Sequence, residues 1–317
     1  HISNGGLAKS TDIRNGGVQH ISNGGMANST TIRNSGAQHV YSGGSATYTT
    51  INGGSQQVSS GGTVSSTILN ISGVQHVLRG GSATSTTINS GGAQNISSGG
   101  SVTSTTITDG GNQYVYSGAT ATFTIISGPF SSQQLSGGTA NNTTIHSGGR
   151  QTVYAGSEAT STTINNAAFQ NVFSGGSAVF TTIGGRQLVS MGGSAIFTTI
   201  EGGSQLVYSG ASATSTTINS GYQNVSSGGS ATATTINNGG SQTVFGEVNS
   251  TNINSGGYQH VSGGGSAFGT IISGGAQYVS SGGTATTTTI NGGFQDVSRF
   301  PVGQVLALFR AGSLLSF

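Results

Sequence analysis

Residues 81–100 read Gly-Ser-Ala-Thr-Ser-Thr-Thr-Ile-Asn-Ser-Gly-Gly-Ala-Gln-Asn-Ile-Ser-Ser-Gly-Gly, and the same phrase returns with small changes along nearly the whole chain. Its fixed point is a Gln-x-aliphatic triplet. Gln94-Asn95-Ile96 is preceded by Gln19-His20-Ile21 and Gln38-His39-Val40, and followed as far as Gln277-Tyr278-Val279 and Gln295-Asp296-Val297. The triplet occurs sixteen times, at intervals of 17 to 20 residues. Ten or eleven residues after almost every aliphatic member stands an isoleucine led by threonines, as in Thr30-Thr31-Ile32, Thr86-Thr87-Ile88 and Thr288-Thr289-Ile290. Short β-branched runs bounded by Gly-Gly read as strands and turns, and a fixed short period reads as stacked structural repeats. The expectation is an all-β, single-domain parallel β-helix (β-solenoid) of about sixteen coils over residues 1–298, with two strands per coil. Parallel crossovers favour the right hand, which is the expected hand here.

Residues two apart on a strand share a face, so Gln94 points with Ile96, and Thr86 with Ile88. If the aliphatic residues face inward, so do the glutamine and this threonine. Ala83 or Ala213, five before the isoleucine, completes a narrow core of Ala, Thr, Ile, Gln and Val. A buried amide is costly alone, but coils about 4.8 Å apart let one amide bond the next as a ladder. The Gly-Gly pairs are expected to supply positive φ at the joints. Length variation gathers there, with 4 residues from Ile183 to Gln187 and 7 from Ile68 to Gln75.

Composition removes several classes. With 58 Gly against 2 Pro the glycines are neither collagenous nor those of a proline-bearing linker. A net charge of +2, from eight basic and six acidic side chains, is too thin a field to hold nucleic acid. Lys9, Arg14 and Arg33 form the one local basic group and read as a solvated patch. There is no cysteine for a disulfide, thiolate site or thiol nucleophile. No run of eighteen apolar residues marks a spanning helix. The opening at His1, without Met or signal segment, reads as a mature or excised portion of something longer.

Chemistry-bearing constellations are sparse. The acids Asp12, Asp109, Glu158, Glu201, Glu247 and Asp296 lie at least two coils apart, whereas glycosidic cleavage wants a facing pair. No catalytic residue and no cofactor is assigned. His1, His20 and His39 occupy the same outward position on three consecutive coils and are a candidate metal column, set against the plain reading that duplicated repeats duplicate their surface residues. His76 and His260 repeat the position. An outward threonine column, Thr in twelve of sixteen coils, raises water-ordering or ice binding. Its neighbours two residues earlier, Ser85 and Ser104 but also Tyr48, Phe123, Phe180, Phe197 and Gly269, are too uneven for a lattice-matching face.

The recurring Gly-Gly, Ala, Thr-Thr-Ile, Gly-Gly and Gln-x-Val resemble, in register over residues 1–298, the passenger repeats of AIDA-type self-associating autotransporter adhesins. The resemblance implies a non-enzymatic adhesin on a bacterial cell surface, serving attachment, self-association with like molecules, and biofilm; its host receptor is not read from the sequence. It also implies O-linked heptose added by a heptosyltransferase. The matching serines are Ser59, Ser60, Ser97, Ser98, Ser226, Ser227, Ser280 and Ser281. The outward aromatics Tyr41, Tyr116, Tyr154, Phe173, Tyr208 and Phe245 read either as self-association contacts or as turn packing. The rival functions are an ice-binding solenoid and a polysaccharide-degrading β-helix. Against the family pattern, the expectation is a chain without signal peptide or translocator barrel, ending in an apolar, non-repeat tail, 299–317, read either as a cap or as a truncation artefact.

Overall fold

The computed structural model describes residues 1–298; the tail 299–317 lies outside the described residues, as does either reading of it. The described residues form strands and turns without a helix, in two compact units: 1–162 with 167–169, and 163–166 with 170–298. Each unit is a parallel β-solenoid. No helix among the described residues is long and apolar enough to cross a membrane.

One coil of the first unit illustrates the construction. The strand Ser82–Thr84 is followed by Thr87–Ile88 and then Ala93–Ile96. Each pairs in parallel with its counterpart one coil on: Ala83 with Val102, Ile88 with Ile107, Gln94 with Gln113 and Ile96 with Val115. There are thus three strands per coil, not the two expected. The additional corner falls at Ser85, whose φ is 53°. The same corner holds Ser29, Tyr48 and Phe123 in this unit, and Phe180, Phe197 and Ser250 in the second, all at positive φ. It carries no glycine signal, so the sequence pattern hides it. A non-glycine residue in this region costs on the order of 1–2 kcal/mol. Against that, coil-to-coil hydrogen bonds continue on both sides of the bend, with Ser85 N–H donating to Thr103 O at 2.9 Å and Thr87 N–H to Thr67 O at 2.8 Å. In the second unit the last two strands fuse in some coils, as in Thr199–Val207 and Thr217–Val225, with a register shift where the corner would be.

The two glycines of a joint have different duties. Gly99 has φ 74° and makes the turn; Gly100 does not, but a Cβ on it would stand 2.5 Å from Val77 O of the preceding coil. A side chain enters there only if the backbone shifts, as in the coils where Ala119, Ser157 and Ala211 hold the place. At the other joint Gly91 (φ 69°) and Gly92 repeat the division, Gly92 being 2.7 Å from Leu69 O by the same measure. Leu69 also corrects the reading of its coil. Leu69 is buried and Ile68 exposed, so Ile68 takes the outward threonine position. The long Ile-to-Gln interval of 7 belongs instead to Ile126 and Gln133.

The expected core is present: Ala83, Thr86, Ile88, Gln94 and Ile96 are all 1% exposed or less. Its glutamines bond from coil to coil as a ladder, and in some coils every polar capacity of the amide is used. Gln38 Nε2 donates to Gln19 Oε1 at 2.8 Å and to Thr30 Oγ1 of its own coil at 3.2 Å. Its Oε1 accepts from Gln56 Nε2 at 2.7 Å and from Thr49 Oγ1 at 3.3 Å. Gln223 of the second unit repeats the pattern with Gln205, Thr216, Gln242 and Thr234 at 2.6 to 3.4 Å. A primary amide offers two donors and accepts at two lone pairs, so nothing is left over.

Gln94 bonds Gln75, Thr86, Thr105 and Gln113. Gln94→Ala leaves all four partners short of a bond beside a new cavity, and is expected to cost about 3 kcal/mol or more. Asn95→Ser, outward on the same strand, is expected to change stability by under about 0.5 kcal/mol. Amide hydrogen exchange in the neighbouring coils measures both; equal protection in the two variants would contradict the ladder's role.

Candidate functional site

With Ala, Thr, Ile, Gln and Val turned inward, what the molecule offers its surroundings is set by the outward columns. Along the Gln strand these are the residue before Gln, the residue between Gln and the aliphatic, and the residue after it.

The middle column opens with His1, His20 and His39. Their rings stack at 4.7 and 5.1 Å with interplanar angles of 14° and 16°, and Tyr41 joins at 5.8 Å from His20 and 6.0 Å from His39. An imidazole's lone pair lies in its ring plane, so near-parallel stacking sends the three lone pairs side by side instead of converging on one ion. Among the described residues no group of three or more His, Cys, Asp or Glu side chains is placed to hold a metal. His260 stacks likewise on Tyr278 at 5.0 Å.

The basic group also resolves. Asp12 accepts from Arg14 Nε at 2.8 Å and from its Nη2, and lies 3.7 Å from Arg33 Nε. The Arg14 hydrogen bond holds the Asp12 carboxyl below its ordinary range. Lys9, on the strand Leu7–Lys9, belongs to the other sheet. Two other acids are engaged by neutral neighbours: Glu158 accepts from Thr160 Oγ1 at 2.9 Å, and Glu201 from Asn219 Nδ2 at 2.6 Å.

The eight candidate serines all follow the Gln strand at the glycine joint. Ser60, Ser98, Ser227, Ser280 and Ser281 are exposed, while Ser59, Ser97 and Ser226 are half-buried. Two of the exposed hydroxyls stand over glycines of the next coil: a Cβ on Gly118 would come within 2.9 Å of Ser98 Oγ, and one on Gly80 within 3.3 Å of Ser60 Oγ. Glycine thus keeps open the space beside these two hydroxyls. The six aromatics Tyr41, Tyr116, Tyr154, Phe173, Tyr208 and Phe245 stand next to these joints and are exposed.

Two surface features escape the repeat reading. The residue after the inward isoleucine or leucine builds a second, outer amide ladder. Asn70 Nδ2 donates to Asn52 Oδ1 at 2.7 Å and Asn89 Nδ2 to Asn70 Oδ1 at 2.8 Å; Asn219, Asn237 and Asn254 do the same in the second unit. The recurring Asn at that place is the signal that could have found it. The other feature is the strained corner, where Tyr48, Phe123, Phe180 and Phe197 are exposed; they do not flank the threonine column on one flat strand. Phe180 and Phe197 stack at 5.0 Å, and a shallow hollow of about 300 Å³ lies among Tyr48, Thr50, Ser66, Ile68, Ser85 and Thr87.

His76 stands between Gln57 and Asn95 in the middle column, and partial burial lowers its pKa from the ordinary 6.5. The unfolded chain therefore takes its proton first as pH falls. His76's contribution is fully present above that ordinary value and is lost below it. The fall in melting temperature between about pH 7.5 and about pH 5.5 is expected to be smaller in His76→Asn than in the parent. An equal fall would show that His76 does not carry this acid sensitivity.

The family model described as "adhesin of bacterial autotransporter system, probable stalk" matches residues 131–185. The crystal structure of a hyper-glycosylated fragment of TibA, its modification catalyzed by TibC, is 42% identical in sequence, with a TM-score of 0.68 and coverage of 92% of this chain and 97% of that one. The Streptococcus pneumoniae surface protein and adhesin PfbA aligns at 8% identity over 92% of this chain and 90% of its own; its TM-score of 0.20 carries no weight. No curated protein matches the chain. Identity of this degree over nearly the full length, on the same solenoid architecture, places the chain among the AIDA-type autotransporter adhesins, to which it belongs as a run of passenger-domain repeats.

Proposed function

We propose that the chain works without catalysis, as the adhesive passenger surface of a bacterial cell. It would attach that cell to host surfaces and, through like molecules, to its neighbours in biofilm. The observation that carries the reading is the surface itself: short hydroxyl, amide and aromatic side chains repeated at each coil, presented by a core whose glutamine amides bond from coil to coil. Contacts that are weak singly gain strength by repetition along one body. An acid pair for a polysaccharide-degrading site has no support in the placement of Asp12, Glu158 or Glu201, each held by a basic or neutral neighbour. The ice-binding reading fares no better, because the outward threonine column is interrupted by Asp12, Ile68, Ile125, Asn252 and Ile271.

Glycosylation fits the same surface. The TibA fragment is hyper-glycosylated by TibC, and the open hydroxyls beside glycines are where a heptosyltransferase would find room on this chain. Mass spectrometry of the native protein is expected to find heptose on serines of the set Ser59, Ser60, Ser97, Ser98, Ser226, Ser227, Ser280 and Ser281. Unmodified serine at all eight rejects the assignment.

Homotypic contact is assigned to Tyr41, Tyr116, Tyr154, Phe173, Tyr208 and Phe245. Serine already alternates with aromatics in this column, at Ser136, Ser190 and Ser226, so six Ser replacements are compatible with the coil. The six-fold variant is expected to clump cells at least about tenfold less well, since many weak contacts are lost together. Clumping at the parental level removes these residues from the contact.

A further inference from the structure

The column before Gln differs between the two units. In the first it holds Val18, Ala37, Ser55, Val74, Ala93, Asn112, Ser132 and Arg150, with one ring, Phe169, at its end. In the second, after Arg186, it alternates between small and aromatic residues from Ser204 onward. Ser204 pairs with Tyr222, Tyr222 with Ser241, Ser241 with Tyr258, Tyr258 with Ala276, and Ala276 with Phe294. The three rings therefore recur every second coil, about 9.6 Å apart at the strand spacing of about 4.8 Å. Tyr222 and Tyr258 are each 42% exposed and Phe294 is 49% exposed, each with only a hydroxymethyl or methyl group beside it in the column. The adjacent middle column supplies Asn224, Thr243, His260 and Tyr278. No Lys, Arg, Asp or Glu lies on this face between Glu201 and Asp296.

We propose that this face of the second unit binds an extended, uncharged polysaccharide strand lying along the coil axis. A pyranose lays its C–H face on an aromatic ring and turns its hydroxyls outward to amides and hydroxyls, which is the pairing offered here. In an extended chain of 1→4-linked sugars, alternate residues turn the same face the same way. Rings placed at every second coil each meet an equivalent sugar. Charge decides between occupants: an acidic glycan or a phosphate finds no Lys or Arg on this face from Ser204 to Phe294, and a basic peptide finds only Asp296, at its end beside Phe294. The inference names a partner for the proposed adhesive surface and rests on that reading for its biological setting. It uses a different column from the homotypic contacts.

The test is isothermal titration of the full chain with cellohexaose and chitohexaose, which are extended, and with maltohexaose, which curls. Binding of an extended hexasaccharide is expected, with maltohexaose weaker. Tyr222→Ser, Tyr258→Ser and Phe294→Ala together are expected to lower the affinity at least about tenfold with an unchanged melting temperature, because Ser and Ala already occupy the column in alternate coils. No binding of either extended sugar, or equal binding by the triple variant, overturns the proposal. Reduced clumping by the triple variant without any saccharide binding also overturns it, and makes a second copy of the chain the occupant. The homotypic reading stands or falls separately, on the six-residue variant.

Discussion

A glutamine amide placed inside a narrow core is the constraint on which the remainder of this molecule turns. It is tolerable only where the coil before supplies a carbonyl oxygen, the coil after supplies an N–H, and a threonine hydroxyl closes each side. That requirement fixes the register of one coil on the next more tightly than aliphatic packing does. A slip by one residue would turn the amide out and leave its partners bare. The joints then have to absorb every change in coil length, as the interval of 4 at Ile183 and Gln187 and that of 7 at Ile126 and Gln133 illustrate. The outward columns inherit their alignment from the same register. Stacked imidazoles, amide ladders and alternating rings on the surface are consequences of what happens inside.

Much of this was legible because strand periodicity is simple. Gln94 with Ile96, Thr86 with Ile88, and Ala83 as the small inward member follow from residues two apart sharing a face, and all are buried together. The third corner was not legible. Turn reading relies on glycine and asparagine, whereas Tyr48, Phe123 and Phe180 adopt positive φ while their own N–H groups bond the next coil, against their local preference. Ile68 misled for a related reason: in Thr67-Ile68-Leu69 two aliphatic residues are adjacent, and only the stack decides which one is enclosed.

The functional surface was legible in its residues but not in its arrangement. The serines and the six aromatics were visible as outward positions. That glycines of the next coil stand open beside the Ser60 and Ser98 hydroxyls depends on how the joints superpose, which no single repeat contains. The stacking of His1, His20 and His39 is similar: their shared position was plain, while the parallel ring planes that separate their lone pairs are a property of three coils together.

The division of labour within Gly99-Gly100 has a consequence for how such a chain can change its length over generations. The second glycine is seated against a carbonyl of the preceding coil, and the first makes a turn that any following coil accepts. A whole coil gained or lost by recombination within the repeats meets the same seat and the same waiting amide on both sides of the splice. The number of coils is thus free to drift, while the spelling of each one is held.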